Sequence, residues 1–372
     1  MSLKFSDFDR SAMVRALLLA ARGMETTHPN PRVGCVIARR ERIVGEGWHH
    51  RAGEAHAEVV ALEAAGTAAA GATAYVTLEP CSHHGRTPPC VNALIEARIA
   101  RVVFAVADPN PKVNGQGAEA LGKAGITVQS GLMDVEATEL NIGFIKRMQR
   151  GRPWVRVKSA MSVDGRTALA NGKSQWITGE EARGDVQLWR ARSSAILTGV
   201  GTILADDPRL SVRSRQNAPQ PIRIVMDSLL RTPPDSQLFD IPGEVLISTT
   251  ADFSMPQIAA RAAALEKRGA RVECMSRTPR TDLSLMLARL AELEVNEVLV
   301  EAGPTLSGEF VRQSLVDEIL IYMAPKLLGS QARPLFDLPL LEDLAGAQRL
   351  EPVDTVRLGD DLRLRFRPRV KI

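Results

Sequence analysis

Residues 73–106 read TAYVTLEPCSHHGRTPPCVNALIEARIARVVFAV. The run 73–77 is short and rich in strand-forming residues, and the Pro- and Gly-bearing stretch behind it cannot prolong it. Residues 89–97 then carry a helical pattern opened by proline, and 101–106 is a second apolar strand. Strand, helix and strand recur on both sides. Upstream, 33–39 and 42–48 read as a hairpin and 54–65 as a helix. Downstream, 117–124 is a helix, 127–130 a strand and 135–150 a helix. This alternation predicts an α/β domain built on a mostly parallel sheet covered by helices. At the start of the chain Phe8, Ala12, Ala16, Leu19 and Ala20 fall at helical spacing, with Ser6 as a candidate N-cap.

Residues 146–153, KRMQRGRP, are basic, poor in apolar side chains and closed by glycine and proline. They read as the junction of two domains, 1–150 and 151–372. A second alternating series follows. Strands are expected at 154–161, 194–198, 222–226, 244–248, 297–301 and 318–323, and helices at 180–191, 257–267, 282–293 and 304–313. Residues 354–358 and 362–367 look like a closing hairpin.

Composition narrows the functional classes. Basic residues exceed acidic ones by only 47 to 43, and aromatics are 4% of the chain. A nucleic-acid module would need a basic stripe with interleaved aromatics, which is missing. The apolar run 16–21 lies between Arg15 and Arg22 and is too short to span a bilayer. Asp7 and Asp9 stand where a signal peptide would carry positive charge. The chain is therefore expected in the reducing cytoplasm, where its cysteines, Cys35, Cys81, Cys90 and Cys274, are thiols or metal ligands rather than disulfides.

Three of the chemically suggestive residues can form one site. His56-Ala57-Glu58 opens a predicted helix, Glu79-Pro80-Cys81 follows a strand, and Pro88-Pro89-Cys90 leads into another helix. One imidazole and two thiolates are a borderline-soft donor set that suits zinc and leaves a fourth position open, as catalytic sites do; iron or cobalt would accept similar donors. The helix dipole at Cys90 is expected to favour its thiolate. Glu58 need not ligate and is placed to carry protons. Taken singly, each residue reads equally well as a surface histidine or a buried thiol; the joint pattern is what points to a metal. His83 and His84 are rival ligands, read here as substrate or solvent contacts. Cys35 and Cys274 are read as core or incidental thiols.

The pattern resembles the H-x-E…P-C-x-x-C signature of the zinc-dependent cytidine deaminase superfamily. The cysteine spacing here is C-x8-C, and PCSHHGRTPPC is similar to the deaminase branch that acts in riboflavin synthesis. His28-Pro29-Asn30-Pro31-Arg32-Val33-Gly34 looks like that branch's N-terminal motif. The resemblance implies a three-layer deaminase-like domain, a zinc ion on His56, Cys81 and Cys90, Glu58 as general acid and base, and Asn30 against the pyrimidine. In such sites zinc brings the pKa of a bound water to about 7.

The second half has no G-x-G-x-x-G fingerprint; Gly199-Val200-Gly201-Thr202 lacks the third glycine. Its signals are Lys158–Thr167 (KSAMSVDGRT), residues 174–178 (SQWIT), 204–210 (LADDPRL) and 301–308 (EAGPTLSG). The last ends a strand and opens a helix, where backbone N–H groups can meet a phosphate. Arg190 and Arg213 could clamp a substrate phosphate, and Asp206 could orient or protonate an open-chain sugar. Together these segments resemble the C-terminal reductase of the bifunctional riboflavin-pathway family, whose fold is like dihydrofolate reductase. The resemblance implies NADPH near Ala160, Trp176, Thr202, Asp206, Ser228, Gly303, Pro304, Thr305, Leu306, Ser307, Gly308 and Glu309. It implies substrate near Ser174, Arg190, Leu210, Arg213 and Glu301.

The activity so implied is hydrolytic deamination of 2,5-diamino-6-ribosylamino-4(3H)-pyrimidinone 5′-phosphate, then NADPH-dependent reduction of the ribosyl group to ribityl. The partner is a small phosphorylated pyrimidine, with no nucleic acid and no membrane, and a homo-oligomer formed through the reductase domain is expected. Two other readings compete. One is a nucleobase deaminase acting on nucleic acid through a non-catalytic C-terminal module; the other makes that module a nucleotide-binding regulator.

Overall fold

The computed structural model describes residues 5–82, 88–110, 114–213, 218–276 and 279–369. It divides into two compact units, Met1–Arg152 and Pro153–Ile372.

The first unit runs α1 (Asp7–Ala21), β1 (Gly34–Arg39), β2 (Arg42–Trp48), α2 (Ala57–Ala65), β3 (Thr73–Leu78), α3 (Cys90–Glu96), β4 (Arg101–Val106), α4 (Gln116–Lys123), β5 (Thr127–Ser130), α5 (Asp134–Leu140) and α6 (Ile142–Arg150). Ser6 caps α1 in a capping box with Asp9. The sheet order is β2-β1-β3-β4-β5. Ala57, Ala61, Val91, Leu94 and Leu121 pack α2, α3 and α4 on one face. Ala12, Met13, Ala16, Leu19 and Ala137 pack α1 and α5 on the other. The result is three layers, helix over sheet over helix.

Two sequence expectations need correction here. The sheet is not mostly parallel: β2-β1 and β1-β3 are antiparallel, and only β3-β4 and β4-β5 are parallel. The hairpin turn forces the first pairing, and β3 joins the free side of β1. The helix expected over 135–150 is broken at Asn141, whose backbone leaves helical geometry (φ −111°, ψ 20°). Its side-chain amide pairs with both the N–H and the C=O of Arg32, at 2.8 Å each. Helix α6 continues to Arg150, as expected, and stops at Gly151 in the left-handed conformation (φ 62°), just before the boundary between the units.

The second unit contains β6 (Trp154–Ser162), β7 (Arg166–Ala168), α7 (Glu180–Arg192), β8 (Ala195–Gly199), α8 (Val200–Asp206), β9 (Ile222–Met226), β10 (Val245–Thr249), α9 (Pro256–Lys267), β11 (Ala270–Cys274) and α10 (Leu283–Glu292). It continues with β12 (Glu297–Val300), α11 (Pro304–Arg312), β13 (Glu318–Ala324), β14 (Arg333–Pro334), β15 (Leu350–Leu358) and β16 (Asp361–Pro368). Among the described residues the main sheet has the order β11-β10-β9-β8-β12-β6-β13-β16-β15. It is parallel from β11 to β13, and the closing hairpin β15-β16 adds the antiparallel edge. Two cores lie on its faces, one against α7 and α9, the other against α10 and α11. Strand β11 and helix α8 were not anticipated, since Arg271 and Glu273 interrupt the apolar pattern of β11 and α8 is only two turns long.

Candidate functional site

In the first unit, three chain segments end at one point. His56 is the N-cap residue of α2, with extended backbone (ψ 162°), so the helix starts at Ala57 rather than at 54. Cys81 lies just beyond β3, and Cys90 is the first residue of α3. One ligand atom from each of His56, Cys81 and Cys90 lies within 4.8 Å of the others. His56 Nδ1 is 3.1 Å from the Cys90 sulfur and 3.6 Å from that of Cys81. The Cys90 N–H donates to Cys81 Sγ at 3.3 Å. A compact imidazole–dithiolate set of this kind fits a zinc ion with one position left for water. His83 and His84, the rival ligands, lie outside the described residues.

Before any cation's charge is added, the two thiols behave differently. Cys81 is held well below the usual thiol range, first by the hydrogen bond from the Cys90 thiol, with burial opposing and His56 adding to the effect. Cys90 is pushed up, first by donating to Cys81 and then by burial. The helix dipole expected to favour the Cys90 thiolate is opposed, before a cation is added, by the neighbouring sulfur, which acts at closer range than the dipole of the short helix α3.

Glu58 is buried, 3% exposed, in the first turn of α2. Burial raises its pKa to about 7, with the negative charge of Cys81 adding to it. Asn30 Nδ2 meets His49 Nε2 at 3.0 Å, and His49 Nδ1 is 3.1 Å from the Ala55 carbonyl. The His49 ring meets the His56 ring edge-on at 5.3 Å between centroids. His49 is therefore a site residue that sequence reasoning passed over. Its signal was weak, since it reads as one of two histidines ending a hairpin. Asp108 was also passed over. It is 6% exposed, and its carboxyl is pushed up to about 6 by burial, with Glu79 and Cys81 adding to the shift.

In the second unit, Glu301 closes β12 and gathers positive charge. Arg190 donates to it through Nε at 2.6 Å and Nη2 at 3.0 Å, and Nη1 reaches the Ser211 carbonyl at 3.0 Å. Lys158 Nζ lies 3.9 Å from Glu301. Burial would raise the Glu301 carboxyl, but Arg190 and Lys158 together bring it to about 2. Arg213 is lowered by burial and by its neighbours Arg190 and Arg209. The forked face of Arg190 is thus turned to Glu301. In the sequence Lys158 stands as the first residue of KSAMSVDGRT; a second basic residue two positions after Arg156 within one strand was the available signal.

The other residues singled out in this half are more dispersed. Ala160 lies on β6 opposite Tyr322, and Leu210 is buried with a positive φ of 48°. Trp176 is 65% exposed, with the Arg183 guanidinium 4.7 Å from its ring centroid. Thr202 and Asp206 lie on α8, Asp206 exposed at its last position. Ser228 follows β9, and its hydroxyl accepts from the Thr281 N–H at 3.3 Å. Ser174 is half-buried before α7. Gly303 is the N-cap of α11, and Pro304, Thr305 and Leu306 form its first turn. Ser307 and Gly308 turn into the core, where a Cβ at Gly308 would sit 2.3 Å from the Asp337 carbonyl; Glu309 pairs with Arg312 at the surface.

Comparison with known proteins adds a second line. Residues 6–106 match the family model described as the cytidine and deoxycytidylate deaminase zinc-binding region, and residues 153–364 match that of the RibD C-terminal domain. The riboflavin biosynthesis protein RibD of Escherichia coli is 50% identical over 95% of this chain and 98% of its own. That of Haemophilus influenzae is 45% identical over 99% of both. A solved RibD structure from Acinetobacter baumannii superposes with a TM-score of 0.90 at 43% identity, covering 98% of this chain and 99% of that one. The Thermotoga maritima diaminohydroxyphosphoribosylaminopyrimidine deaminase/5-amino-6-(5-phosphoribosylamino)uracil reductase gives 0.84 at 31% identity, over 97% and 99%.

Proposed function

The chain belongs to the RibD family of riboflavin biosynthesis proteins, in which a deaminase and a reductase share one polypeptide, and from that membership we propose which residues carry each reaction. The deaminase is assigned to residues 1–150 and the reductase to 151–372. The observation that carries the first assignment is the convergence of His56, Cys81 and Cys90 beside a buried carboxyl.

His56, Cys81 and Cys90 hold the zinc ion, which when bound makes water acidic enough to act as a nucleophile at neutral pH. Asn30, braced by His49, orients the diaminopyrimidine. Glu58 takes one proton from the attacking water and gives it to the ring nitrogen, then takes the second from the added hydroxyl and gives it to the amine, so that the C–N bond breaks, the carbonyl forms and ammonia departs. A carboxyl near pKa 7 suits both transfers, because it can accept and donate at the same pH.

In the reductase, NADPH supplies hydride to C1 of the ribosyl group. Its binding residues are Ala160, Trp176, Thr202, Asp206, Ser228 and the stretch Gly303, Pro304, Thr305, Leu306, Ser307, Gly308 and Glu309. Thr305 and Leu306, whose first-turn N–H groups have no acceptor within the helix, support a phosphate there. Ser174, Arg190, Leu210, Arg213 and Glu301 hold the substrate. Arg213, with Arg209 near it, faces the 5′-phosphate, while Arg190 fixes Glu301. Lys158, a half-buried ammonium whose pKa is lowered by desolvation, delivers the proton that the sugar ring oxygen gains as the ring opens.

The enzyme acts in the cytoplasm, a reading supported by four unbridged cysteines. It assembles as a homo-oligomer through the reductase unit, which exposes Leu338, Leu340, Leu341 and Leu344 together. The test of the whole reading is metal analysis of the purified protein with an ammonia-release assay on the diaminopyrimidine, followed by NADPH oxidation. One zinc per chain and both activities are expected. A metal-free protein that releases no ammonia would overturn it.

A further inference from the structure

Glu79 precedes the ligand Cys81 by two residues and has no part in the reactions described above. It is 3% exposed, and its carboxylate accepts from three backbone N–H groups. Oε2 accepts from the N–H of Asp108 at 3.2 Å and of Gly115 at 3.0 Å, and Oε1 accepts from the N–H of Ala118 at 3.1 Å. Gly115 is the N-cap of α4 and has no side chain to satisfy the first-turn donors. The cap comes instead from the end of β3, thirty-six residues earlier in the chain.

The same joint is closed a second way. A Cβ on Gly117 would sit 2.1 Å from the Pro80 carbonyl oxygen, so the first turn of α4 lies directly against the residue between Glu79 and Cys81. The Glu79 N–H in turn donates to the Val106 carbonyl at 2.9 Å, tying the end of β3 to the end of β4 just before Asp108. Asp108 also accepts from the Asn110 N–H at 2.8 Å. One carboxylate therefore joins the Cys81 segment, Asp108 and the start of α4. Asp108 is buried and close enough to Cys81 for the two to interact electrostatically.

We propose that Glu79 is a positioning residue of the deaminase: through three backbone N–H groups it holds Asp108 and the α4 N-terminus against the metal-ligand segment, and so fixes a wall of the substrate site. The inference rests on the deaminase reading. Wild-type ammonia release tests that reading separately.

The experiment uses the full-length protein. Glu79→Gln keeps size and shape but replaces one acceptor oxygen with an NH2 group that faces an N–H. Gly117→Ala disturbs the same joint without touching the carboxylate. For each, zinc content, deaminase kcat and KM and the reductase rate are measured on one preparation. Both variants are expected to keep one zinc per chain and a wild-type reductase rate; Glu79→Gln should raise the deaminase KM about ten- to hundredfold, the effect of one or two lost hydrogen bonds, and Gly117→Ala should raise it in the same direction by displacing α4 from Pro80. The double variant Glu79→Gln/Asp108→Asn should be no worse than the poorer single, because the two act through one wall. An unchanged KM in Glu79→Gln overturns the proposal. So do a kcat loss that merely tracks lost zinc, which would make Glu79 a plain folding residue, and additive effects in the double variant.

Discussion

Glu58 shows how burial sets a residue's chemistry. Two positions from His56 and almost wholly enclosed, it is brought by burial to a pKa of about 7, where an exposed glutamate would be fully ionised. Glu58→Ala should retain zinc, measured by metal analysis, and lose about 10²–10⁴-fold in ammonia release. NADPH-dependent reduction should be unchanged. Glu301 is the opposite case, a buried carboxylate kept ionised by Arg190 and Lys158. Its folded pKa is depressed to about 2, below its ordinary 4.5, so the stability it contributes is complete above that ordinary value. That contribution is lost as pH falls from 4.5 toward 2. Urea midpoints of wild type and Glu301→Gln should differ by a constant amount at neutral pH and converge across that acid window. A difference that persists at the acid end would show that the carboxylate's charge is not what stabilises the fold. Both glutamates were legible in the sequence from their motifs. Their opposite electrostatics were not, because each depends on neighbours distant in the chain.

At the level of elements, close approach of helix to sheet places the deaminase site. A Cβ on Gly47 of β2 would lie 2.5 Å from the Ala57 carbonyl in the first turn of α2. Gly47→Ala must therefore push outward the helix that carries His56 and Glu58. A shift of about 1 Å at a reacting group costs about 10²-fold. The deaminase kcat/KM should fall by that order while the reductase rate holds. In the second unit the central strand β6 carries Arg156, fully buried between Glu318 (Nε–O 2.6 Å) and Glu297 (Nη1–O 3.1 Å) on its neighbours β13 and β12. Arg156→Met would leave two carboxylates without their central cation, a loss of about 3–5 kcal/mol seen as a lower urea midpoint. Periodicity and turn chemistry identified most of these strands and helices. They failed where one long-range contact outweighed local preference, as at Asn141, which gives up helical geometry to pair with the Arg32 backbone. They also failed in β11, where charged side chains hide the strand pattern.

For the whole molecule, two units with separate cores carry two chemistries, and the activities should separate under treatment as well as by mutation. Removing zinc with a chelator should abolish ammonia release from the full-length enzyme and leave NADPH oxidation with the deaminated substrate intact. Loss of both would mean that the metal supports the entire fold. The proposed assembly has its own check: Leu340→Asp with Leu344→Asp should lower the sedimentation coefficient to that of a single chain. The nucleic-acid reading finds no support in the family comparisons, in keeping with the near balance of charge and the few aromatics. What residue order alone determined was the alternation of strand and helix and the choice of three candidate metal donors with a glutamate near them, since these follow from local periodicity and from donor chemistry. How the two thiols interact, which carboxylate Arg190 grips, and where His49, Asp108, Lys158 and Glu79 come to lie were decided only by folding. Hydrogen bonding and electrostatic interaction fall steeply with distance, and only the tertiary structure determines which groups come within range.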